Sequence, residues 1–429
     1  MDNKMTCRAC AAALDKPFLD LGRMALANSY LKPQDLGKEE PTYPLRVFFC
    51  ENCGLAQQLD FTAAGEVFDD YQYFSSFSQS WLAHSKNYVD MITSRLGLTS
   101  SSRVIEIASN DGYLLQYFKQ KGIPCLGIEP SKTVAEAARA QKIETLVQFF
   151  NVGTGKELAE KGLKADLILG NNVLAHVPDL HDFVGGFKHV LKEGGVLTME
   201  FPHLLRMMKE TQFDTIYHEH FSYISLTAIE KVFAAHDIVL FDVEEIPTHG
   251  GSLRIYGRLA ANAALPVSER IGELKARENA NGLLQSRTYR NYAIKVEEVR
   301  RELLHFLHTA KAEGKTVAGY GAPAKGNTLL NFCGVGPELL AYTVDLSPHK
   351  QGRFLPGSHI PVYSPDKIKE TEPDYILILP WNIKGEIMKQ LSYVADWGGS
   401  FVTAVPELKV FMPERPASHN ALAAAGAGI

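Results

Sequence analysis

The segment Thr215–Tyr223 places four side chains that can transfer protons or form hydrogen bonds next to one another: Tyr217, His218, Glu219 and His220. In an extended chain Tyr217 and Glu219 would face away from the two histidines, whereas a turn or loop would let several of these side chains converge. A half-buried polar network without a catalytic function is an equally good interpretation of these residues alone. A metal site is the weakest interpretation, because His-x-His without a third nearby ligand is common by chance.

Four of the six cysteines form two Cys-x-x-Cys pairs near the N-terminus, namely Cys7, Cys10, Cys50 and Cys53. In a cytosolic chain this pattern indicates a metal site rather than disulfides. Four thiolates complete a tetrahedral zinc site and leave no open position for water, so the predicted metal is structural. A domain this small has little core, and metal binding would therefore supply much of its folding free energy.

The chain has 429 residues, of which 45% are hydrophobic and 22% charged, and these values predict a globular protein of two or three domains. The formal net charge of -5 and the pI near 6.3 argue against nucleic acid or an anionic membrane as a partner. The sequence has no apolar run long enough to span a membrane, and residues Met1–Cys7 do not resemble a secretory signal. We therefore expect a cytoplasmic protein.

Residues 102–260 alternate between apparent strands and helices, which predicts an α/β domain with a mostly parallel sheet. A buried strand, Arg103–Ala108, leads into the glycine-containing turn Ser109–Gly112 and then into a helix. The next strand, Cys125–Glu129, ends in an acid about 20 residues after the turn, a spacing typical of a carboxylate that accepts hydrogen bonds from two ribose hydroxyls.

Ligands of open α/β sheets bind beyond the carboxyl ends of the strands. Polar residues of this chain follow several of the predicted strands: Asn110, Glu129, Asn171 and His176. The segment Thr215–Tyr223 comes after the fifth predicted strand, which ends at Pro202, so it should lie at the same edge of the sheet. This placement is the reason to interpret the segment as catalytic.

A second α/β pattern spans residues 315–408 and follows a predicted pair of connecting helices. Within it, Thr316–Asn327 is typical of a strand, a glycine turn and a helix, which would present backbone N–H groups to a phosphate or carboxylate. Lys325 would add a positive charge to that site.

Several motifs occur in one order from Cys7 to about Leu408, and together they resemble the sugar C-methyltransferase family. They are the two cysteine pairs, Glu106–Gly112, Gly127–Ser131, Tyr217–Phe221, His249–Arg254 and Gly319–Lys325. Members of that family act on nucleotide-linked 4-keto-deoxysugars and use S-adenosylmethionine as the methyl donor. The resemblance therefore implies methyl transfer to C3 of such a sugar, linked to dTDP, GDP or CDP, by a monomer or homodimer.

The resemblance implies an α/β protein with a small zinc-binding domain and two Rossmann-like domains. The predicted boundaries are 1–75 for the zinc-binding domain, 76–265 for the methyltransferase domain, 266–314 for the connecting helices, 315–410 for the C-terminal sugar-nucleotide domain and 411–429 for a disordered tail. The substrate would lie between the last two domains.

The resemblance also implies a set of site residues. His220 would remove the C3 proton, with Glu219, Tyr217, His176 and Tyr73 around the sugar. The residues expected to bind the cofactor are Glu106, Ala108, Asn110, Gly112, Glu129, Pro130, Ser131 and Asn171. The residues expected to bind the substrate are His249, Gly250, Gly251, Arg254, Tyr320, Gly321, Ala322, Lys325 and Asn327. The chain departs from the family pattern at Ala108, where glycine is usual, and at Gln148, where an acid often meets the adenine.

Two other functions compete with methyl transfer. An NAD-dependent nucleotide-sugar epimerase or dehydrogenase would use the C-terminal glycine turn, but Gly319–Ala324 does not complete the dinucleotide motif Gly-x-Gly-x-x-Gly. A zinc-knuckle nucleic-acid module would need a basic surface, which the acidic composition argues against.

Overall fold

The computed structural model of the protein describes residues 5–58 and 75–413, and the chain divides into two units. The first unit comprises Met1–Asp20, Arg46–Met207 and His218–Arg290, and the second comprises Leu21–Leu45, Met208–Tyr217 and Asn291–Ile429. The predicted domain boundaries follow a different division and stay a prediction. No helix among the described residues is long and apolar enough to cross a membrane.

The described residues form seventeen strands. They are β1 (Pro17–Met24), β2 (Tyr43–Phe49), β3 (Ala56–Gln58), β4 (Val104–Ile107), β5 (Cys125–Ile128), β6 (Thr145–Leu146), β7 (Ala165–Asn171), β8 (Leu191–Pro202), β9 (Ser222–Tyr223), β10 (Ile238–Ile246), β11 (Ser252–Leu259), β12 (Val317–Tyr320), β13 (Thr343–Val344), β14 (Val362–Tyr363), β15 (Tyr375–Ile378), β16 (Ser400–Thr403) and β17 (Lys409–Phe411).

The described residues also form twelve α-helices. They are α1 (Gln79–Leu96), α2 (Leu115–Gln120), α3 (Lys132–Ala140), α4 (Val152–Glu160), α5 (Leu180–Val190), α6 (Leu204–Lys209), α7 (Leu226–Ala234), α8 (Glu269–Ala280), α9 (Ser286–Ala312), α10 (Ala324–Cys333), α11 (Asp366–Thr371) and α12 (Lys384–Gln390).

The first unit contains a seven-stranded sheet in the order β10-β11-β8-β7-β4-β5-β6. Strands β8, β7, β4, β5 and β6 are parallel, and β10 and β11 continue the sheet in antiparallel pairing. All four residues of β4 are buried, as expected for a strand covered on both faces. Because β5 and β7 lie on opposite sides of β4, the chain order reverses there, and the crevice beyond the carboxyl end of β4 is the expected ligand site of such a sheet.

Glycines let helices α4 and α5 pack closely on one face of this sheet. A Cβ atom on Gly155 would lie 2.4 Å from the carbonyl oxygen of Gly186, closer than two such atoms can approach. Each helix begins with a side-chain cap: Asn151 accepts from the backbone N–H of Thr154, and Asp179 accepts from the N–H groups of His181 and Asp182, the second and third residues of α5.

A smaller sheet, in the order β1-β2-β3-β9, joins the cysteine-bearing region to the segment Thr215–Tyr223. Ala56 pairs with Tyr223 and Gln57 with Ser222 in antiparallel register. Of the two conformations left open for this segment, the residues Tyr217–His220 adopt the loop, with a turn at His218 and Glu219. Phe213–Thr215 is one 3-10 turn, the next residues form a loop, and only the last two join a sheet.

The second unit contains a six-stranded sheet in the order β14-β13-β12-β15-β16-β17, parallel except for β17. The predicted α/β fold is confirmed in both units. The sequence pattern also predicts strands over Thr145–Phe150 and Leu340–Asp345, and both are shorter in the structure: the first forms a strand only at Thr145–Leu146 and the second only at Thr343–Val344. At the first of these, apolar residues suggested a longer strand, although Phe149 is 52% exposed beyond the edge of the sheet.

A buried carboxylate ties α8 to the start of α7. Glu278 is fully buried and accepts hydrogen bonds from His203 Nε2 at 2.8 Å, from the Leu226 N–H at 2.8 Å and from the Thr227 N–H at 2.9 Å. His203 and Leu226 are buried and Thr227 is half-buried, so removing the carboxylate would leave buried donors unpaired.

We expect Glu278→Ala to lower the free energy of unfolding by ~3–5 kcal/mol, the cost of breaking a buried charged network. The measurement is the urea midpoint followed by circular dichroism. Glu273→Ala, at an exposed position of the same helix, is the matched control and should change stability by less than about 0.5 kcal/mol. Equal midpoints for the two variants would contradict a structural role for Glu278.

Candidate active site

The four cysteines converge on one point in the first unit. The sulfur atoms of Cys7, Cys10, Cys50 and Cys53 all lie within 4.8 Å of one another. The Cys7–Cys53 and Cys10–Cys50 sulfur pairs are each separated by 3.5 Å, close to the ~3.8 Å between ligands of tetrahedral zinc with Zn–S bonds of about 2.3 Å. All six cysteines are free of disulfide bonds. The donor set therefore fits a structural zinc ion.

The two cysteine pairs are built as matching knuckles. The N–H of Ala11 donates to the Cys7 carbonyl and the N–H of Gly54 donates to the Cys50 carbonyl, both at 2.8 Å. Ala11 and Gly54 both adopt positive φ, which turns the chain back after each pair. The side-chain amide of Gln57 donates to Cys7 Sγ at 3.0 Å and so supports a metal-ligand sulfur from outside the ligand set.

The turn after β4 has a strained backbone. Ala108 and Asn110 have φ values of +54° and +51°, and Gly112 has +79°. Residues with a Cβ atom enter this left-handed region at a cost of ~1–2 kcal/mol, which explains why glycine is the usual residue at the position of Ala108. Backbone strain of this kind, at the switch point of the sheet, is typical of a ligand-binding turn.

Glu129 follows β5 and is held by this turn. Its carboxylate accepts from the Asn110 N–H at 3.0 Å and from the Ser131 N–H at 2.9 Å, and the side chain is 5% exposed. Burial raises the pKa of Glu129, and the two backbone hydrogen bonds oppose that effect. Each oxygen keeps a second lone pair, so the fixed carboxylate can accept from two ribose hydroxyls.

The other predicted cofactor residues lie on neighbouring strands. Asn171 is the last residue of β7, and Pro130 and Ser131 precede α3. Glu106 lies inside β4 and is fully buried, which raises the pKa of its carboxyl well above the ordinary value. Beyond β6, the amide nitrogen of Gln148 is buried and has no hydrogen-bond partner among the described residues. A buried donor of this kind, at this edge of the sheet, is suited to donating a hydrogen bond to a ring nitrogen of adenine.

His176 and His220 meet at the same edge. Their ring centroids are 4.7 Å apart in an edge-to-face arrangement, and the N–H of Phe221 donates to the Ala175 carbonyl at 2.7 Å. Burial lowers the pKa of His176 to about 4, although a hydrogen bond from its ring to the Glu219 backbone acts in the opposite direction. His176 is therefore neutral at physiological pH.

The remaining members of the cluster are buried to different extents. His218 and Glu219 are only 1% and 4% exposed, whereas His220 is half-buried. His218 is not among the expected site residues, and its carbonyl accepts a hydrogen bond from the Gln58 side chain. Tyr73 lies outside the described residues, so its role stays a prediction.

Tyr217 belongs to the second unit, where the preceding residues are firmly anchored. Asp214 is fully buried and accepts a hydrogen bond from Trp381 Nε1 at 2.6 Å, and Thr328 Oγ1 donates to the Ile216 carbonyl at 2.8 Å. Burial raises the pKa of Asp214 to about 6, against the opposing charge of Lys325. Sequence reasoning missed Asp214, since a lone acid before an apolar residue carries no distinguishing pattern.

Of the predicted substrate residues in the first unit, Arg254 is already paired. Its guanidinium donates to Glu200 at 2.8 Å, and His84 Nε2 lies 2.9 Å from the same carboxylate. Burial alone would raise the pKa of Glu200, but His84 and Arg254 outweigh it and hold that pKa below the ordinary value. Sequence reasoning also missed Glu200 and His84. Glu200 lies near the carboxyl end of a predicted strand, so the rule that identified Glu129, a polar residue at a strand end, could have identified it.

The loop before β11 carries the other predicted substrate residues of this unit. His249, Gly250 and Gly251 all have positive φ, and a Cβ atom on Gly251 would lie 2.9 Å from the Arg206 side chain. The side-chain amide of Asn172 lies 2.9 Å from His249 Nε2. The positive φ values therefore favour glycine at positions 250 and 251, where the motif has glycine.

In the second unit, the glycine turn after β12 is organised like the turn after β4. Gly321 has a φ of +88°, and the N–H of Ala322 donates to Asp345 at 2.7 Å. Asp345, which follows β13, also accepts from the Ser347 N–H at 2.8 Å. Ala322, Asp345 and Ser347 therefore repeat the arrangement of Asn110, Glu129 and Ser131. In both, one carboxylate accepts from the N–H of a turn residue and from the N–H two residues after the acid.

The other predicted substrate residues of this unit are partly engaged. Lys325 Nζ donates to Asn382 Oδ1 at 2.9 Å and lies 4.8 Å from the centre of the Trp381 ring. Asn327 is buried and donates to the Ala27 carbonyl at 2.6 Å, while the Tyr320 hydroxyl lies 3.1 Å from Gln390 Oε1. All three side chains therefore have partners within the unit, and so do the backbone N–H groups of Gly321 and Ala322.

Three family models match the chain in succession. A model described as "Putative zinc binding domain" matches residues 7–68, a "Methyltransferase domain" model matches residues 81–241, and a "C-methyltransferase C-terminal domain" model matches residues 247–406.

Comparison with whole proteins includes a match over nearly the full length of the chain. The chain is 35% identical over 408 residues to C-methyltransferase NovU of Streptomyces niveus, covering 95% of this chain and 97% of that protein. It is 31% identical over 96 residues to a ubiquinone biosynthesis O-methyltransferase of Chelativorans sp. (strain BNC1), covering 22% of this chain and 38% of that enzyme. Among solved structures, magnesium protoporphyrin IX methyltransferase from Synechocystis PCC 6803 with bound S-adenosylmethionine is 14% identical, with a TM-score of 0.31, and covers 44% of this chain and 86% of that chain.

The low pKa of His176 predicts a pH dependence of stability. Because burial lowers this pKa from 6.5 to about 4, the unfolded chain takes up a proton that the folded chain excludes as the pH falls through this range. The folded state should therefore lose roughly 1–2 kcal/mol between pH 7 and pH 5 through this residue.

Replacing His176 by asparagine should remove that contribution. Between pH 7 and pH 5 we expect the urea midpoint of wild type to fall further than that of His176→Asn. His308→Asn, at an exposed position of α9, should give parallel pH curves. The same parallel behaviour in His176→Asn would show that the ring is not held neutral.

Proposed function

The chain belongs to the S-adenosylmethionine-dependent C-methyltransferase family, and we propose that it methylates C3 of a nucleotide-linked 4-keto-deoxysugar with His220 as the general base. The observation that carries this proposal is the meeting of His176 and His220, 4.7 Å apart, at the carboxyl edge of the cofactor sheet. The substrate class comes from the motif resemblance over the whole chain. The NAD-dependent alternative is less well supported, because Gly319–Ala324 does not complete the dinucleotide motif Gly-x-Gly-x-x-Gly.

Carbon methylation requires that the accepting carbon first become nucleophilic. A ketone at C4 makes this possible, because loss of the C3 proton places negative charge on the C4 oxygen. S-adenosylmethionine supplies the electrophilic methyl group when bound. The protein must then provide a base, hydrogen-bond donors for the developing oxyanion, and alignment of the reacting atoms, which is worth up to ~7–11 kcal/mol.

The environments of the two histidines favour His220 as the base. A general base works best with a pKa near the working pH, and the pKa of about 4 makes His176 a weak base. His220 is half-buried and follows Glu219, whose backbone the His176 ring holds. We therefore assign proton removal to His220 and the positioning of the loop to His176.

The neighbouring residues have supporting roles in this proposal. Glu219 orients the imidazole or contacts the sugar, and Tyr217, His176 and Tyr73 stabilise the enolate oxygen or hold the sugar. A tyrosine hydroxyl is suited to stabilising the enolate oxygen, because it is uncharged and donates a hydrogen bond that becomes stronger as negative charge develops on that oxygen.

The cofactor residues follow from the turn after β4. Glu129 would accept from the ribose hydroxyls, and the buried amide of Gln148 would donate to the adenine. The strained turn Ala108–Gly112 and Asn171 would surround the remainder of the cofactor. Four free cysteines in a zinc site are typical of a reducing compartment, and we propose that the reaction takes place in the cytoplasm.

We assign the nucleotide of the substrate to the turn after β12. The support is the repeated arrangement of Ala322, Asp345 and Ser347, together with backbone N–H groups at the start of α10 and the positive charge of Lys325. The nucleotide is dTDP, GDP or CDP.

Glu129→Gln should weaken S-adenosylmethionine binding by ~10-fold or more, because the amide cannot accept from both ribose hydroxyls while it also meets two backbone N–H donors. Isothermal titration calorimetry measures the Kd. Glu136→Gln, on the exposed face of α3, is the matched control. Wild-type affinity in Glu129→Gln would remove Glu129 from the cofactor site.

His220→Asn should lower turnover by ~100-fold or more while leaving the affinity for S-adenosylmethionine within twofold. Exchange of the C3 proton with deuterated solvent, followed by proton NMR without methyl donor, tests enolate formation separately. We expect wild type to exchange this proton and His220→Asn to lose the exchange. A fully active His220→Asn enzyme would rule out His220 as the base.

A further inference from the structure

One arginine between the metal ligands contacts both segments that carry the histidine pair. The Arg8 side chain donates from one terminal nitrogen to the Pro178 carbonyl at 2.6 Å and from the other to the Gln58 carbonyl. Its guanidinium carbon lies 5.3 Å from the centre of the Phe221 ring, within the range of a cation–π interaction. Pro178 comes two residues after His176, and Phe221 comes directly after His220.

The direction of Arg8 is set by the zinc knuckle. Arg8 lies between the ligands Cys7 and Cys10, in the turn closed by the hydrogen bond between Ala11 and Cys7. Its backbone N–H donates to Gln57 Oε1 at 2.9 Å, and the Gln57 amide donates to Cys7 Sγ at 3.0 Å. Opening the knuckle would therefore move Arg8 and release its hydrogen bonds together.

The loop that bears His220 is attached to the adjacent strand β3. The Gln58 N–H donates to the Phe221 carbonyl at 3.1 Å, and the Gln58 side chain donates to the His218 carbonyl. The Phe221 N–H donates to the Ala175 carbonyl at 2.7 Å. Arg8 spans these attachments, because its guanidinium joins the end of β3 to the segment that follows His176.

We propose that Arg8 is a positioning residue for methyl transfer: it holds the His220 loop against the His176 segment and so connects the zinc knuckle to the proton-transfer site. This inference rests on the proposed function, in which His220 is the base. Proton transfer is sensitive to distance, and a misplacement of about 1 Å can lower a rate by ~100-fold. The metal then affects turnover through Arg8, without contacting the substrate.

The test compares Arg8→Met with Arg8→Lys and with Lys231→Met. Methionine keeps an apolar stem but donates no hydrogen bonds, whereas lysine keeps a positive charge near Phe221 and one donor group. Lys231 is the matched control, because it contacts the second knuckle through the Cys53 carbonyl at 3.2 Å. Each protein is assayed for zinc content, Kd for S-adenosylmethionine, kcat and KM, and amide hydrogen exchange over residues 218–224.

For Arg8→Met we expect one zinc per chain, a Kd within twofold of wild type, a kcat lowered by ~10–100-fold and faster exchange over residues 218–224. Arg8→Lys should recover part of the rate and part of the protection. Lys231→Met should match wild type in kcat and in exchange of this segment. Removing zinc from wild type should reproduce the faster exchange, and removing it from Arg8→Met should add little.

Wild-type exchange and kcat in Arg8→Met would overturn the inference. A rate that falls only in proportion to lost zinc would also overturn it, since Arg8 would then serve the metal site alone. If Arg8→Met does not fold, the same comparisons are made with Arg8→Lys. The exchange measurement needs no substrate, so it tests Arg8 even if wild type fails to methylate 4-keto sugars, which would refute the proposed function instead.

Discussion

The pairing of β3 with β9 is the contact on which the arrangement of the candidate active-site residues depends. It joins the strand that follows the second cysteine pair to the strand that follows His220, with Ala56 opposite Tyr223. A two-residue strand has little stability by itself, and it needs the knuckles and the buried Phe221 to persist. The loop that bears His220 is thus an added edge of this sheet, and a structural metal at the four cysteines would stabilise the loop indirectly.

Both units use the same solution to place an acid beside a turn. In each, the acid follows the second strand of a parallel pair and accepts from a turn amide and from the amide two residues later. The carboxylate holds the turn by accepting hydrogen bonds from these N–H groups, and the same hydrogen bonds fix the orientation of the carboxylate. Preorganisation of this kind lowers the entropy lost when a ligand binds, because the polar groups are already oriented.

Much of this organisation could be predicted from the sequence, and the reason is that it is local. The strand before Asn110, the acid at position 129 and the cysteine spacing each occupy a short stretch with a recognisable period or chemistry. The fold class and the convergence of the four cysteines are confirmed, and the separate site assignments stay predictions. Strand ends were less accurate, because apolar residues such as Phe149 extend a hydrophobic pattern beyond the last paired residue.

The contacts that could not be predicted join residues far apart in the chain. Arg8 meets a carbonyl 170 residues away, and His84 meets Glu200 across 116 residues. No period or spacing encodes such pairs, and a single arginine between two cysteines is equally typical of a solvated surface. Arg254 is a related case: its motif predicts a substrate contact, which stays a prediction, but no pattern in the sequence predicts that its guanidinium is buried against Glu200.

The histidine pair shows why burial, rather than residue type, decides the assignment of roles. His176 and His220 have the same side chain and nearly touch, but burial lowers the pKa of His176 to about 4. A neutral ring that cannot compete for the proton is an effective neighbour for a base, because a second positive charge would depress the basicity of His220. The His176 ring instead forms a hydrogen bond with the Glu219 backbone, and so a residue unsuited to proton removal would stabilise the loop to which we assign that step.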